Sequence, residues 1–230
     1  MAEVKLLLPG FAMMTNRGYL GFCSIVLIRG EKNLIFDTGH WMDRVRLLEE
    51  LRRNDIDRYA IQGVILSHLH ADHIMNVDLF PNAELIVSAR ELRYVENPHP
   101  QDTNVPFFWR AILEGRKIVP IEKEGEAGIL KDLTFMILPG HTPGCLAAVV
   151  KTERGTVVLS GDAGKYAKEF LTRKKYDSMI YCSPEEVKKS IERILETADV
   201  IIPGHDRPLK VVDKKYVQWE QNAALELFIY

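Results

Sequence analysis

The chain contains few cysteines. Cys23, Cys145 and Cys182 are its only thiols, they lie far apart, and no two of them form a Cys-x-x-Cys pair. This number and spacing argue against a disulfide framework and against a structural metal site built from sulfur alone. We expect the three residues to be buried free thiols.

Neither a long apolar run nor an excess of basic charge is present. The formal net charge is -2, and acidic and basic residues are interspersed. The sequence therefore offers no broad electropositive surface for nucleic acid, although it does not exclude that partner. No run approaches membrane-spanning length, and residues 1–5 lack the basic start of a secretion signal. With 47% hydrophobic content in 230 residues, we expect one cytoplasmic domain over residues 1–230, without membrane contact.

What the chain does contain is a dense cluster of metal-binding side chains. His68, His70, Asp72 and His73 directly follow the apolar run 63–66, which predicts a buried strand. Because residues two apart on a strand point the same way, His68 and His70 can reach one ion, while the other two lie past the bend and point to a second position. Imidazole and carboxylate donors without thiolate suit zinc, with iron, manganese or cobalt as alternatives.

Three later turns each follow a strand-like run and end in one more donor. These donors are His141, Asp162 and His205, each preceded by a glycine. A tight turn leaves such a side chain at the end of a strand, where several loops converge. Taken alone, each is more often an ordinary turn residue. Five of the seven histidines of the chain fall within the combined set of seven donors, and this joint occurrence favours a site for two ions. His40 and His99 have no such spacing and are expected to face solvent or to support a ligand.

The order of these motifs, over residues 37–205, resembles that of the metallo-β-lactamase-fold hydrolase superfamily. The resemblance implies an α+β fold, a four-layer αββα sandwich with two packed sheets and helices outside them. It also implies two divalent metal ions, zinc first, with iron or manganese as alternatives. By the superfamily pattern, His68, His70 and His141 would bind the first ion, Asp72, His73 and His205 the second, and Asp162 would bridge them. Asp37 matches an early acidic motif that orients a ligand histidine; without the resemblance it fits a turn cap equally well.

The donor set predicts a hydrolase. Two ions about 3.5–4 Å apart hold a hydroxide between them at neutral pH, and Asp72 is a candidate catalytic residue that holds this nucleophile and passes a proton to the leaving group. We expect a small-molecule substrate that is an ester, a lactone or a thioester. Two alternatives stay open: a phosphodiesterase or ribonuclease that uses the same metals, and a non-catalytic metal-binding protein.

Among the branches of the superfamily, the motifs are most similar to those of N-acyl homoserine lactonases. Those enzymes carry a tyrosine three residues after the bridging aspartate, where it helps to hold the substrate carbonyl. Here Lys165 occupies that position and Tyr166 follows it. Both are candidate catalytic residues, since Tyr166 could donate to an oxyanion and Lys165 could bind an anionic group. A surface lysine beside a packed tyrosine is the structural alternative, to which we give equal weight.

The Pro-rich segment 97–109 ends in Phe107, Phe108 and Trp109, and it predicts a long loop or a lid. Folded over the metals, these aromatic side chains would line an apolar substrate pocket; the alternative is that they anchor the loop to the core. In the C-terminal segment 216–230, apolar residues at helical spacing predict packing on the core or a homodimer contact.

Hydrophobic periodicity predicts a helix over residues 42–53, with Val45, Leu48 and Leu51 facing the core. A second helix is predicted from the capping box that starts at Ser183. Strands are predicted near residues 4–8, 22–28, 33–36, 63–66, 83–87, 117–121, 134–138, 146–151, 156–159 and 200–202.

Overall fold

In the computed structural model, which describes residues 1–16, 18–125, 129–175 and 181–219, two six-stranded sheets pack face to face and helices cover their outer faces. The strands are β1 (Glu3–Leu8), β2 (Phe11–Thr15), β3 (Gly18–Phe22), β4 (Ile25–Arg29), β5 (Asn33–Phe36), β6 (Gly63–Ile65), β7 (Glu84–Ser88), β8 (Ile118–Ile121), β9 (Leu133–Ile137), β10 (Leu146–Thr152), β11 (Gly155–Gly161), β12 (Val200–Pro203), β13 (Leu209–Val212) and β14 (Tyr216–Trp219). The α-helices are α1 (Arg44–Arg53), α2 (Ala71–Ile74), α3 (Ala89–Glu96), α4 (Trp109–Leu113), α5 (Ala167–Thr172) and α6 (Pro184–Thr197). Single 3-10 turns cover Trp41–Asp43, Arg58–Ala60, Val77–Leu79 and Asp162–Gly164.

The two sheets have related strand arrangements. The first has the order β1-β4-β5-β6-β7-β8, antiparallel from β1 to β5 and parallel from β5 to β8. The second has the order β14-β13-β12-β11-β10-β9 and is antiparallel except for the parallel pair β11 and β12. Strands β2 and β3 form a separate hairpin. Because parallel strands end at the same edge of a sheet, the turns after β5 and β6, and those after β11 and β12, lie side by side.

The core has three apolar layers, as a four-layer sandwich requires. Along β4, Ile25 and Leu27 pack outward with helices α1 and α3, whereas Val26 and Ile28 pack between the two sheets. This alternation follows from the two-residue period of a strand. The third layer lies between the second sheet and helices α5 and α6. The predicted αββα sandwich is confirmed.

Helix α1 differs from its predicted orientation. Leu47 and Leu51 are its buried side chains, while Val45 is 69% exposed and Leu48 is 38% exposed. The residues at 47 and 51 lie one turn apart and share a face, and Val45 points about 200° away from Leu47 around the axis. Helix α6 agrees with its prediction, because Ser183 and Glu186 form a capping box.

Two other regions differ from the predicted elements. The strand predicted at 22–28 is divided between β3 and β4, because the Ser24 N–H donates to the Gly204 carbonyl oxygen, 2.7 Å away, instead of joining a ladder. In the C-terminal segment 216–230, whose apolar residues are at helical spacing, residues 216–219 form strand β14, which pairs with β13. Residues 220–230 of this segment lie outside the described residues.

Candidate metal centre

The donors after β6 are placed by the geometry of the first sheet. Strand β6 is central and parallel to both neighbours, and the chain leaves it at Ser67. His68 and His70 follow and are buried, His70 with an extended backbone, and the four-residue helix α2 then presents Asp72 and His73. One strand end and one short helix thus deliver four donors to the same edge of the sandwich.

The structure brings all seven predicted donors together. Ligand atoms within 4.8 Å of one another define four groups among the described residues, and the three that consist of the predicted donors are His68, His70 and His141; His68, His73 and Asp162; and Asp72, His73 and His205. The fourth is Cys23, Asp37 and His73. Helices, loops and both sheets contribute to these groups. The first and third groups have the composition that the resemblance to the superfamily implied for two separate ions.

Asp162 lies between the two sets of histidines. Its Oδ1 is 3.5 Å from His73 Nε2 and 3.4 Å from His205 Nε2. Its Oδ2 is 3.4 Å from His141 Nε2. Burial opposes ionisation of this carboxyl, but the neighbouring Lys165 and the histidines outweigh it and hold the pKa of Asp162 well below its usual range. An ionised carboxylate with one oxygen toward each set has the geometry of a bridging ligand.

The buried nitrogen atoms of the cluster fit metal ions. His68 Nε2, His73 Nε2 and His205 Nε2 have no hydrogen-bond partner among the described residues. A buried polar atom without a partner costs free energy, and several such atoms that converge on one site are suited to bind an ion. Burial and the neighbouring histidines also hold the pKa of His68 well below its usual value, which keeps the imidazole in the neutral form that binds metals.

Asp37 orients two of the histidines. It sits directly after β5 with a φ of 56°, and its Oδ2 is 2.8 Å from His73 Nδ1. Its two carboxylate oxygens accept from the backbone N–H and the hydroxyl of Ser67, both at 2.8 Å, and that hydroxyl oxygen is 3.0 Å from His68 Nδ1. These contacts leave the Nε2 atoms of both histidines directed at the cluster.

Asp102 and Glu91 are supporting residues that the sequence patterns missed. Asp102 Oδ2 is 2.9 Å from His70 Nε2 and accepts a hydrogen bond from the Tyr94 hydroxyl at 2.7 Å. Glu91 is fully buried and accepts from the Leu69 N–H at 3.1 Å and from the Thr142 hydroxyl at 2.6 Å. No local pattern indicates that either residue supports the site. Asp102 is an isolated acid in an irregular loop, and Glu91 is an ordinary glutamate within helix α3.

A small cavity of about 140 Å³ opens onto the cluster. Its floor includes His70, Asp72 and His141, and its walls include Tyr19, Leu20, His40, Met42, Asn104 and Lys165. A larger groove of about 870 Å³, between β1 and β13, contains none of the seven donors. The chemistry therefore belongs to the smaller cavity.

Comparison with known proteins places the chain in a family. Residues 18–205 match the sequence model of the Metallo-beta-lactamase superfamily. The chain belongs to this superfamily. It is 33% identical over 195 residues to Metallo-beta-lactamase domain-containing protein 1 of Xenopus laevis, which covers 82% of this chain and 72% of that protein. It is 28% identical over 166 residues to an N-acyl homoserine lactonase of a Bacillus species, which covers 70% of this chain and 62% of the lactonase.

Solved structures show the same fold. A Thermotoga maritima protein described as a metallo-beta-lactamase superposes with a TM-score of 0.72 at 23% identity, covering 91% of this chain and 99% of that chain. An N-acyl homoserine lactone hydrolase with its product at the catalytic metal centre superposes with a TM-score of 0.68 at 21% identity, covering 89% and 92%. The predicted superfamily is confirmed, and the chain is a metallo-β-lactamase-type hydrolase.

The two candidate catalytic residues after Asp162 occupy different places in the structure. Lys165 is buried and lines the cavity, with its Nζ 2.9 Å from Asp162 Oδ2 and 4.7 Å from the centre of the Tyr19 ring. The Tyr166 hydroxyl contacts the Tyr19 hydroxyl at 3.2 Å, and Tyr166 is not among the residues that line the cavity. The hairpin residue Tyr19, which the sequence did not indicate, is the one tyrosine among the described residues that lines the cavity.

The predicted aromatic substrate pocket requires a correction. Phe107 is 95% exposed, and Trp109 packs against the apolar layer outside the first sheet. Neither these two residues nor Phe108 lines the cavity. The segment 97–109 does lie against the cluster of seven donors, but through Asp102 and through the Asn104 carbonyl oxygen, which accepts from the Ala71 N–H at 3.0 Å. Its aromatic end is directed away because α4 begins at Trp109 and packs on the core.

The part of the chain that the structure describes contains no helix long and apolar enough to cross a membrane.

Proposed function

We propose that this protein uses two divalent metal ions to hydrolyse a small ester, lactone or thioester. The observation that carries the proposal is the convergence of seven donors around Asp162, at the floor of a cavity of about 140 Å³. A cavity of this size suits the reactive end of a small molecule. The relative named N-acyl homoserine lactonase supports a carboxylic ester as the scissile group.

The grouping of the donors supports an assignment of residues to the two ions. His68, His70 and His141 would bind one ion, Asp72, His73 and His205 would bind the other, and Asp162 would bridge them. Nitrogen and oxygen donors favour zinc, and iron or manganese are alternatives. Bound there, the ions would lower the pKa of a coordinated water from about 15.7 towards about 7 and polarise the scissile carbonyl group.

Asp72 is the proposed proton carrier. Its Oδ2 lies 3.3 Å from His205 Nε2, and its side chain is 18% exposed, in contrast to the fully buried Asp162. It is also the only acidic residue among the described residues that line the cavity. A carboxylate that contacts both the metal ligands and the substrate space is placed to accept a proton from the nucleophile and return it to the leaving group.

Tyr19 and Lys165 are the proposed substrate contacts in the cavity wall. Burial raises the pKa of the Tyr19 hydroxyl far above its usual value, so this group stays protonated and can donate to a developing oxyanion. Lys165 contributes an amine beside Asp162. We place Tyr166 behind Tyr19, where their hydroxyl contact orients the Tyr19 side chain.

Phosphodiester cleavage is the second candidate function. One observation favours it: Lys165 lines the cavity, and its amine lies 2.9 Å from Asp162 Oδ2, next to the proposed metal site, where a cation would favour an anionic phosphate. Nucleic acid therefore stays a candidate partner.

We further propose, from the sequence, that residues 1–230 form a single domain. On the same grounds we propose that the protein is cytoplasmic and forms a homodimer.

A substrate panel on protein of measured metal content tests the function. We expect the zinc-loaded protein to cleave an N-acyl homoserine lactone or an aryl ester faster than bis(p-nitrophenyl) phosphate. Asp162→Asn and His70→Ala should lose most of this rate. Asp213→Asn is the matched control, because Asp213 lies in an exposed turn with a φ of 53°, which asparagine also adopts.

Three outcomes would contradict the proposal. Turnover that survives thorough metal removal would exclude a metal-dependent reaction. Faster cleavage of the phosphodiester would favour the second function. Two bound ions without turnover of any substrate in the panel would favour a non-catalytic metal-binding protein.

A further inference from the structure

A fully buried ion pair lies directly behind the turn that carries Asp162. The Lys175 Nζ and Glu169 Oε2 atoms are 3.0 Å apart, and both side chains are 0% exposed. None of the seven donors belongs to this pair. Buried ion pairs are weak evidence for stability, since desolvation offsets much of their attraction, and they are often replaceable by apolar residues at little cost. Its position beside the metal centre therefore calls for a different explanation.

Both partners of the pair contact the backbone of the ligand-bearing turn. The Lys175 ammonium donates to the carbonyl oxygen of Asp162. Glu169 Oε2 accepts a hydrogen bond from the N–H of Lys165 at 2.8 Å. The pair thus contacts both ends of the turn from residue 162 to residue 165. The contact at the first residue is to its carbonyl oxygen, and the contact at the last residue is to its backbone N–H.

The same turn is connected to two further ligand positions. The His205 N–H donates to the Lys165 carbonyl oxygen at 3.0 Å. A Cβ atom placed on Gly140 would lie 3.6 Å from Lys175 Cε, so the lysine stem passes beside the turn that presents His141. A shift of the turn would move Asp162 and would disturb the backbone at both neighbouring histidines.

We propose that Glu169 and Lys175 are positioning residues that hold the Asp162 carboxylate between the two sets of histidines and so set the affinity of the site for its metal ions. This inference rests on the proposed function, because it requires the seven donors to bind metal. The pair acts through the backbone of the turn from residue 162 to residue 165 and contacts neither substrate nor ion. Both charges are needed. The ammonium group binds the carbonyl oxygen at one end of the turn, the carboxylate binds the amide N–H at the other end, and the ion pair between them links the two contacts.

Metal affinity, measured separately from turnover, tests this inference. The probes are zinc, titrated in competition with a chromophoric chelator, and cobalt, whose visible absorption spectrum reports ligand geometry. The variants are Glu169→Gln, Lys175→Met and the double variant with both changes. The control is the same pair of substitutions at Glu192 and Lys188, an exposed pair on α6 whose charged atoms are 3.8 Å apart.

We expect the double variant to bind zinc about tenfold more weakly than the wild type, the scale seen for supporting partners of metal ligands, with an altered cobalt spectrum. The control pair should leave both unchanged. The melting temperature of the metal-free double variant should stay close to that of the wild type, because no unpaired buried charge remains in it. Lys175→Met alone, which leaves Glu169 charged and unpaired, should be the least stable of the three.

Wild-type zinc affinity and an unchanged cobalt spectrum in the double variant would overturn the inference. If that variant does not fold, Glu169→Gln decides, because glutamine keeps an oxygen for the Lys165 N–H and removes only the charge; unchanged zinc affinity would then overturn the inference. Failure of the wild type to bind two ions would instead overturn the proposed function, so the two failures are distinguishable.

Discussion

Asp102 Oδ2 lies 2.9 Å from His70 Nε2, although the two residues are 32 positions apart in the chain. Because Nε2 of His70 contacts Asp102, the other ring nitrogen, Nδ1, faces the cluster. This Nδ1 lies 2.9 Å from His141 Nε2. With the Nε2 proton donated to the carboxylate, the Nδ1 lone pair is directed toward the metal position that His68 and His141 share.

Removal of Asp102 should weaken the metal centre. We expect Asp102→Ala to reduce zinc affinity by about 10–100-fold, because His70 would lose the partner that fixes its orientation and tautomer. Titration against a chromophoric chelator measures this affinity. Tyr94→Phe, which removes one hydrogen bond to Asp102 and leaves the contact to His70, should have a smaller effect. An Asp102→Ala variant with the affinity of the wild type would show that His70 is held by packing alone.

Glu91 should make the stability of the metal-free protein depend on pH. Burial raises the pKa of the Glu91 carboxyl, although hydrogen bonds from Thr142 and Leu69 act in the opposite direction. Above pH 4.5, the ordinary pKa of a glutamate, the unfolded chain releases a proton that the folded protein retains. The free energy of unfolding therefore falls as pH rises through this window, by up to about 1.4 kcal/mol per pH unit for this group.

Glu91→Gln removes this titration and isolates it. We expect the stability of the wild type relative to Glu91→Gln to decrease as the pH is raised from 4.5, in urea melts of both proteins with a chelator present. A stability difference that is constant across the range would show that Glu91 ionises normally in the folded protein.

Lys165→Met should change the preference for substrate charge. An ammonium group in the cavity wall favours a substrate that carries a carboxylate near the scissile bond, and hydrogen bonds to charged groups contribute about 1.5–3 kcal/mol. We expect kcat/KM for p-nitrophenyl hemisuccinate to fall by about tenfold or more, while that for p-nitrophenyl butyrate changes little. Equal losses on both esters would assign Lys165 to the support of Asp162, which it contacts at 2.9 Å.

We expect the β2–β3 hairpin, and not the aromatic residues 107–109, to determine substrate binding. Leu20 lines the cavity, whereas Phe107 is 95% exposed and does not. We expect Leu20→Ser to raise KM for an ester with a long acyl chain by several-fold, since an apolar contact of this size contributes about 1–3 kcal/mol. Phe107→Ser, the matched change, should leave KM within about twofold. The reverse result in steady-state kinetics would return the substrate pocket to residues 107–109.

Local sequence patterns predicted the donor set because it depends on short spacings. The layered fold was implied by the resemblance to the superfamily, and the structure agrees with it, since alternation along β4 sends Val26 and Ile28 to one layer and Ile25 and Leu27 to the other. Hydrophobic periodicity did not predict the buried face of α1 correctly, because the helix has more apolar residues than one face can bury. Contact with the sheet determines that Leu47 is buried and that Val45 is exposed.

The sequence by itself determined that seven donors follow strand ends, since a strand and the turn after it are specified by neighbouring residues. Only the tertiary structure decided what surrounds those donors. Asp102, Glu91 and Tyr19 reach the site from a loop, a helix and a hairpin. Contacts over such separations depend on how whole elements pack, and a single acid or tyrosine has no local pattern that records its distant partner.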